Sequence, residues 1–206
     1  MEDVNGDLKQ TEISFTHEKR LDYYLIDSIN SASKTIRVAI FIFEWEPLCD
    51  ALINAAKRGV EVEIITDVRS IYLISKPNGS TSVPDLFYKN NIDVLIYDDR
   101  PFIMHQKFMI IDNKYILSGS YNFQEAATLR NRENIIKVVD KHLIIKINNE
   151  LNDLKNFSYK FSEHELKKLK PISAGKIWVE FRFILAITFI ISLLLNFVLS
   201  IIIYIF

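Results

Sequence analysis

The sequence predicts an α/β domain, a mixed β-sheet flanked by helices on both faces, followed by one C-terminal transmembrane helix. Three observations carry that expectation. Strand-like apolar runs alternate with segments of helical periodicity between Thr16 and Phe161, the order that buries a sheet between two helix layers. The run from Phe183 to Phe206 contains no charged residue, and about 20 apolar residues are enough to cross a bilayer core. Between these lies a polar, lysine-rich stretch, 162–176, with the character of a linker. The expected organisation is a tail over 1–11, a globular domain over 12–161, the linker over 162–176 and an anchor over 177–206.

Taken in order, Thr16 to Ser31 has helical spacing and Thr35 to Phe43 reads as a strand. A helix from Glu46 to about Arg58 is closed by Gly59, since a helix end that turns left-handed favours a residue without Cβ. Val60 to Thr66 reads as a buried strand. Asp67 to Val83, with Pro77-Asn78-Gly79, is a loop, followed by a short helix over Asp85 to Asn90 and a strand over Ile92 to Tyr97. Met104 to Ile111 alternates as a strand, turns at Asp112-Asn113-Lys114 and returns through Tyr115 to Leu117. Asn134 to Val139 closes the sheet, and His142 to about Phe161 shows helical spacing of Leu143, Ile147, Leu151 and Leu154. No internal repeat is visible.

Composition fits one domain and an anchor. About 160 residues bury an adequate core, and the single Cys49 excludes an internal disulfide and a cysteine zinc site, leaving it as a buried thiol. The formal net charge of −1 lacks the basic excess of a protein that grips nucleic acid phosphates non-specifically. A basic groove would have to be local; Arg69, Lys76, Lys89, Arg100, Arg130 and Arg132 are its candidates, with Lys76 and Lys89 reading as ordinary surface. The acidic start, Met1 to Asp7, has no apolar core and is neither a secretory signal nor a transit peptide. Lys167, Lys168, Lys170, Lys176 and Arg182 precede the span, which places the globular domain in the cytosol with a C-terminal anchor. Asn196 is the one strongly polar group within it, able to form a hydrogen bond between helices.

The chemistry concentrates between His105 and Glu133. On an extended segment His105 and Lys107 share one face, with Gln106 and Phe108 on the other. The turn at Asp112 and the small residues Gly119-Ser120 return Ser120 and Asn122 towards His105. An imidazole can attack phosphorus to form a covalent intermediate. A fixed ammonium with hydroxyl and amide donors stabilises the charge on the phosphoryl oxygens without a metal. A carboxylate, Glu133 or Asp112, would hold the imidazole in one orientation. Read from the residues alone, this is a site for cleaving a phosphodiester, with no cofactor and no metal required.

The motif H-Q-K-F-M-I-I-D over 105–112, G-S-Y-N over 119–122 and N-R-E-N over 131–134 resembles the phospholipase D superfamily, whose pattern is H-x-K-x(4)-D followed by G-S/G-x-N. From about Lys34 to Val139, including A-A-K-R-G-V-E-V-E-I-I-T-D over 55–67, the chain is similar to the single-motif branch with the bacterial nuclease and mitochondrial cardiolipin hydrolase (Zucchini). The resemblance implies a phospholipase D-like fold, His105 as nucleophile, Lys107, Ser120 and Asn122 as phosphate binders, and Glu133 as the carboxylate that orients a catalytic histidine. Asp112 matches the motif aspartate and ranks below them, holding the strand and turn. The family's site needs two such motifs. His142 and His164 have no lysine two residues on, and His17, although followed by Lys19, has Tyr24 where the motif needs its aspartate, so a homodimer sharing its site across a two-fold axis is expected.

The resemblance implies a phosphodiester hydrolase, expected to be metal-independent; the motif does not choose between lipid and nucleic acid, and the anchor puts first a phospholipid such as cardiolipin, cleaved to phosphatidic acid. The alternatives are an endonuclease cutting single-stranded RNA or DNA and an inactive membrane scaffold. The anchor leaves the mitochondrial outer membrane and the endoplasmic reticulum as addresses. The zinc-binding insertion of some animal relatives is absent.

Overall fold

The computed structural model describes residues 10–70, 83–90 and 92–162. The Pro77-Asn78-Gly79 loop, the linker from 163 onward and the predicted membrane span lie outside the described residues. Among those described, no helix is long and apolar enough to cross a membrane. The elements are β1 (Gln10–Phe15), α1 (Leu21–Ser31), β2 (Thr35–Ile40), α2 (Glu46–Lys57), β3 (Glu61–Asp67), α3 (Val83–Lys89), β4 (Asp93–Tyr97), β5 (Lys107–Ile111), β6 (Tyr115–Gly119), α4 (Glu125–Leu129), β7 (Asn134–Val139), α5 (Lys141–Lys155) and β8 (Ser158–Lys160).

The strands form one mixed sheet in the order β1-β7-β6-β5-β2-β3-β4-β8. β2, β3 and β4 run parallel, joined by helical crossovers, and the remaining neighbours are antiparallel. The side-chain period of two divides the sheet into faces. On one, Ala39, Ile65, Phe108, Ile110 and Ile116 pack with Ile144, Leu151 and Leu154 of α5. On the other, Met109, Leu117 and Ile135 meet Leu25 of α1, and α1 packs on α2. Phe108, Met109, Ile110 and Ile111 are therefore all buried, as a central strand covered on both sides requires.

Local chemistry sets several boundaries. Gly59, at φ 89°, ends α2; its N–H donates to Ala56 O and that of Val60 to Ala55 O, which satisfies the last carbonyls of the helix. Asp140 caps α5 by accepting from the N–H groups of His142 and Leu143 at 2.9 and 3.1 Å. Arg37 of β2 donates to Glu63 of β3 at 2.8 and 2.9 Å and to Asn148 and Asn152 of α5, tying the helix to the sheet.

The structure departs from the sequence reading in several places. α1 begins at Leu21 rather than Thr16, because Glu18 and Lys19 N–H groups fold back onto Phe15 O. Gln10–Phe15, whose first residues were assigned to the tail, is an edge strand paired with β7. Its face is largely exposed, so no apolar alternation announces it. The last helix stops at Lys155, and Ser158–Lys160 adds a strand beside β4. The buried stripe of α5 runs through Ile144, not Leu143, which is exposed.

The β5–β6 hairpin turns at Asp112 and Asn113, both left-handed with φ 52° and 53°, as a turn that matches strand twist demands. The Asp112 carboxylate accepts from Lys34 N at 2.7 Å, Thr35 N at 2.9 Å, Ser33 N at 3.0 Å and Ser33 Oγ at 2.9 Å. Burial alone would raise its pKa, but these donors together hold it below the usual carboxylate range. It thereby clamps the start of β2 to the end of β5. Asp112→Asn is expected to destabilise the domain by about 1–3 kcal/mol at neutral pH. Since the folded pKa is depressed, the contribution is complete above the unfolded value of about 3.9 and is lost as pH falls below it. In thermal melts the gap between wild type and variant should be constant at neutral pH and narrow progressively below about pH 4. A gap that does not narrow would contradict the clamp.

Candidate active site

The parallel strands β2, β3 and β4 all end on one side of the sheet, at Ile40, Asp67 and Tyr97. Open α/β sheets bind ligands outside the carboxyl ends of such strands, and His105 lies at this end. It precedes β5 rather than sitting within it, and Gln106 O accepts from Phe41 N at 3.0 Å. Gln106 turns towards α5, donating to Glu150 at 3.0 Å. His105 and Lys107 project the other way, as the alternation requires. Lys107 Nζ lies 3.2 and 3.3 Å from the two ring nitrogens of His105 and 3.0 Å from its carbonyl oxygen. The imidazole rests on Phe41, ring centroids 4.7 Å apart, and is exposed on its outer side. Burial lowers the pKa of the Lys107 ammonium, and the Glu133 carboxylate acts in the opposite direction.

β6 leads to the second part of the site. A Cβ on Gly119 would lie 2.1 Å from Asn134 O and 2.8 Å from Asn134 Oδ1, so only glycine allows β6 and β7 to approach this closely. Past it, Tyr121 and Phe123 point into the core while Ser120 and Asn122 take the alternate positions. Tyr121 hydrogen bonds to Thr128 Oγ1 at 2.5 Å, and burial pushes its pKa up to about 12. Phe123 packs edge-on against Phe43, centroids 5.0 Å apart, and its carbonyl accepts from Glu44 N and Trp45 N. The loops after β2 and β6 are thus locked together beneath the site.

Ser120 Oγ donates to Glu133 Oε2 and accepts from Asn134 N at 3.1 Å. The other Glu133 oxygen accepts from Asn131 Nδ2 at 2.9 Å. Thr16 completes this corner: its hydroxyl accepts from Glu133 N at 3.0 Å and donates to Asn131 O at 3.1 Å. Asn122 Oδ1 is buried without a hydrogen-bond partner. An orphaned polar atom at this position is a candidate for a ligand contact, since leaving it unmatched costs about 1–3 kcal/mol.

His105 and Lys107 are thus in contact, and Ser120 and Glu133 are in contact with each other. Within one chain the described hydrogen bonds of Glu133 go to Ser120, Asn131 and Thr16, not to the His105 ring. Asp112, counted among the catalytic candidates from the sequence, stands at the far end of β5, about 16 Å from Lys107 along the strand. Its donors Ser33 N, Ser33 Oγ, Lys34 N and Thr35 N belong to β2 and the preceding turn, so it positions the strand and does not face the site.

Two residues that the motif does not contain hold His105 in place. Asp67 is fully buried; it accepts from Met104 N at 2.9 Å and from Arg69 N at 2.8 Å. Arg69, paired with Asp67, donates to Phe102 O at 2.9 Å and Pro101 O at 3.1 Å. An acid ending a buried strand was the available sequence signal for Asp67. Arg69, a groove cation by its sequence, instead directs its donors to the loop before His105. Arg100 pairs with Asp98 and Arg130 with Glu125; Lys76 lies outside the described residues. Cys49 is buried, which raises its thiol pKa. Among the described residues no group of three His, Cys, Asp or Glu side chains is arranged to hold a metal ion.

Residues 25–155 match the family described as cardiolipin synthase, PLD-like domain. A phospholipase D of Rickettsia conorii is 32% identical over 140 residues, 67% of this chain and 66% of the relative. A mitochondrial cardiolipin hydrolase of Chlamydomonas reinhardtii is 25% identical over 150 residues, 72% of this chain and 64% of the relative. The chain therefore spans slightly less than two thirds of the length of these relatives. Among solved structures, Nuc of Salmonella typhimurium, a phospholipase D family member, superposes with a TM-score of 0.66 at 24% identity, covering 76% of this chain and 100% of Nuc. That likeness supports the mixed-sheet fold described above. The chain belongs to the phospholipase D-like family.

Proposed function

We propose that this protein is a phosphodiesterase whose nucleophile is His105, that two copies complete each site, and that its substrate is a phospholipid of the cardiolipin type, cleaved to phosphatidic acid. The contact between His105 and Lys107 at the open end of the sheet carries the reading. In the proposed reaction a ring nitrogen of His105 attacks phosphorus, and the bond to the leaving oxygen breaks as His105 of a second copy supplies its proton. That imidazole then takes a proton from water, whose oxygen attacks the phosphohistidine, and cleavage of the P–N bond regenerates His105. Lys107 and Ser120 stabilise the phosphoryl oxygens. The Asn122 side-chain NH2 is the group able to donate to those oxygens, since its Oδ1 can only accept.

Since Glu133 caps Ser120 rather than His105 within one chain, a carboxylate for the imidazole would come across the two-fold axis of the pair. The lipid reading draws on the relatives named for phospholipase and cardiolipin hydrolase activity. It also draws on the uncharged run from Phe183 to Phe206, proposed here as an anchor that follows the linker and holds the domain on the cytosolic side of a membrane. Of the two expected addresses, the relatives named as mitochondrial support a mitochondrial membrane. Arg69 is engaged within the domain and Arg100 and Arg130 carry surface ion pairs, which leaves exposed Arg132 as the candidate cation for a nucleic acid strand.

The full chain, incubated in EDTA with cardiolipin liposomes and with labelled single-stranded RNA and DNA, should release phosphatidic acid. His105→Asn should lose about 10³-fold or more of that activity while keeping its fold. Cut strands with intact lipid would reassign the protein as a nuclease, and a loss in EDTA restored by a divalent ion would contradict the metal-free reaction. Mass spectrometry of the acid-sensitive phosphoryl adduct should place it on His105. The Glu133 carboxylate favours the charged form of Lys107, so Glu133→Gln should lower the Lys107 pKa further. The alkaline limb of the pH–rate profile should move to lower pH; a shift to higher pH would contradict this electrostatic role.

A further inference from the structure

The segment entering His105 is held by its backbone and presents its side chains outward. Phe102 and Ile103 are exposed at 68% and 52%, although the chain around them is fixed at four points. Arg69 donates to the carbonyls of Pro101 and Phe102, Phe102 N donates to Asp99 O at 2.9 Å, and Asp67 accepts from Met104 N. Met104 itself is buried. Two large apolar side chains, three and two residues ahead of His105, are thereby kept exposed on an anchored backbone. Phe157, also exposed, belongs to the same end of the sheet: its carbonyl accepts from Asp98 N at 2.9 Å and its ring lies 6.2 Å from Tyr97.

The site therefore has two chemical halves. Lys107 and Ser120 offer charge and hydrogen bonds, while Phe102 and Ile103 offer apolar surface to whatever flanks the diester. A nucleic acid strand would flank it with sugars and further phosphates. The arginines in this region that could track those phosphates, Arg69 and Arg100, are tied to Asp67 and Asp98. A phospholipid would flank it with acyl chains. Resting on the phosphodiesterase reading, we propose that Phe102 and Ile103 form an apolar lip that contacts the acyl region of a phospholipid while its phosphodiester lies against His105 and Lys107. The Asp67–Arg69 pair holds that lip in position.

The test compares the full wild-type chain with Phe102→Ser/Ile103→Ser on two substrates, cardiolipin in mixed micelles and the soluble diester methyl 4-nitrophenyl phosphate. Loss of two apolar contacts should lower cardiolipin hydrolysis about tenfold or more below saturation. The loss should appear in KM rather than kcat, with the soluble diester changed by no more than about twofold. Phe102→Leu/Ile103→Leu should restore cardiolipin hydrolysis. Unchanged cardiolipin hydrolysis in the serine variant would overturn the lip. So would loss of both substrates together with a change from dimer to monomer in light scattering, which would make these side chains a contact between copies. A larger loss on single-stranded RNA than on cardiolipin would replace acyl contact with base stacking. A wild type that turns over neither substrate would instead remove the phosphodiesterase reading, and the lip with it.

Discussion

The hydrogen bond from Met104 N to the buried carboxylate of Asp67 fixes where the chain lies as it enters β5, and the rest of the site depends on that placement. A buried carboxylate is tolerated only when its oxygens are matched, and here the matching groups are the backbone beside His105 and the guanidinium of Arg69. The same acid that ends β3 therefore registers a loop that arrives from a distant part of the sequence. Were this contact removed, the imidazole would still belong to the motif, but its relation to Lys107 and to the sheet would no longer be set.

Asp112 performs the matching task at the other end of β5. It binds the start of β2, while Asp67 binds the approach to β5 at the end of β3. Between them β5 is held in register against β2 through Ile36↔Ile111 to Ile40↔Lys107. A register slip of one residue would turn Lys107 to the α5 face and Gln106 to the site. Gly119 supplies a third constraint by letting Asn134 approach the end of β6, which brings Glu133 to Ser120. The residues proposed as catalytic, at loop positions, are thus set by contacts in a rigid sheet, which suits chemistry that tolerates little misplacement.

Much of this was legible from the residues. The alternation around Gln106 separated the His105 and Lys107 face from the α5 face, and the Asp112-Asn113 turn and the Gly59 helix end were local signals of backbone geometry. What escaped was tertiary in origin. β1 and β8 are short edge strands without a buried face of their own, so no periodicity marks them. Arg69 has the side chain of a phosphate binder, and nothing local shows that two carbonyls over thirty residues away take its donors. The hydrogen bonds of Glu133 to Ser120 and Thr16 likewise depend on β1 and β7 being neighbours. The N-terminal limit of α1 moved for the same reason, since Thr16 serves that corner rather than a helix.

In the proposed pair each chain supplies half of a catalytic site. Wild-type chains co-expressed with His105→Asn at graded ratios, purified together and assayed on cardiolipin, test it most directly. If each reaction needs His105 from both members of a pair, activity per chain falls as the square of the wild-type fraction. A fall in simple proportion to that fraction would mean that a single His105 suffices, and would contradict the shared site.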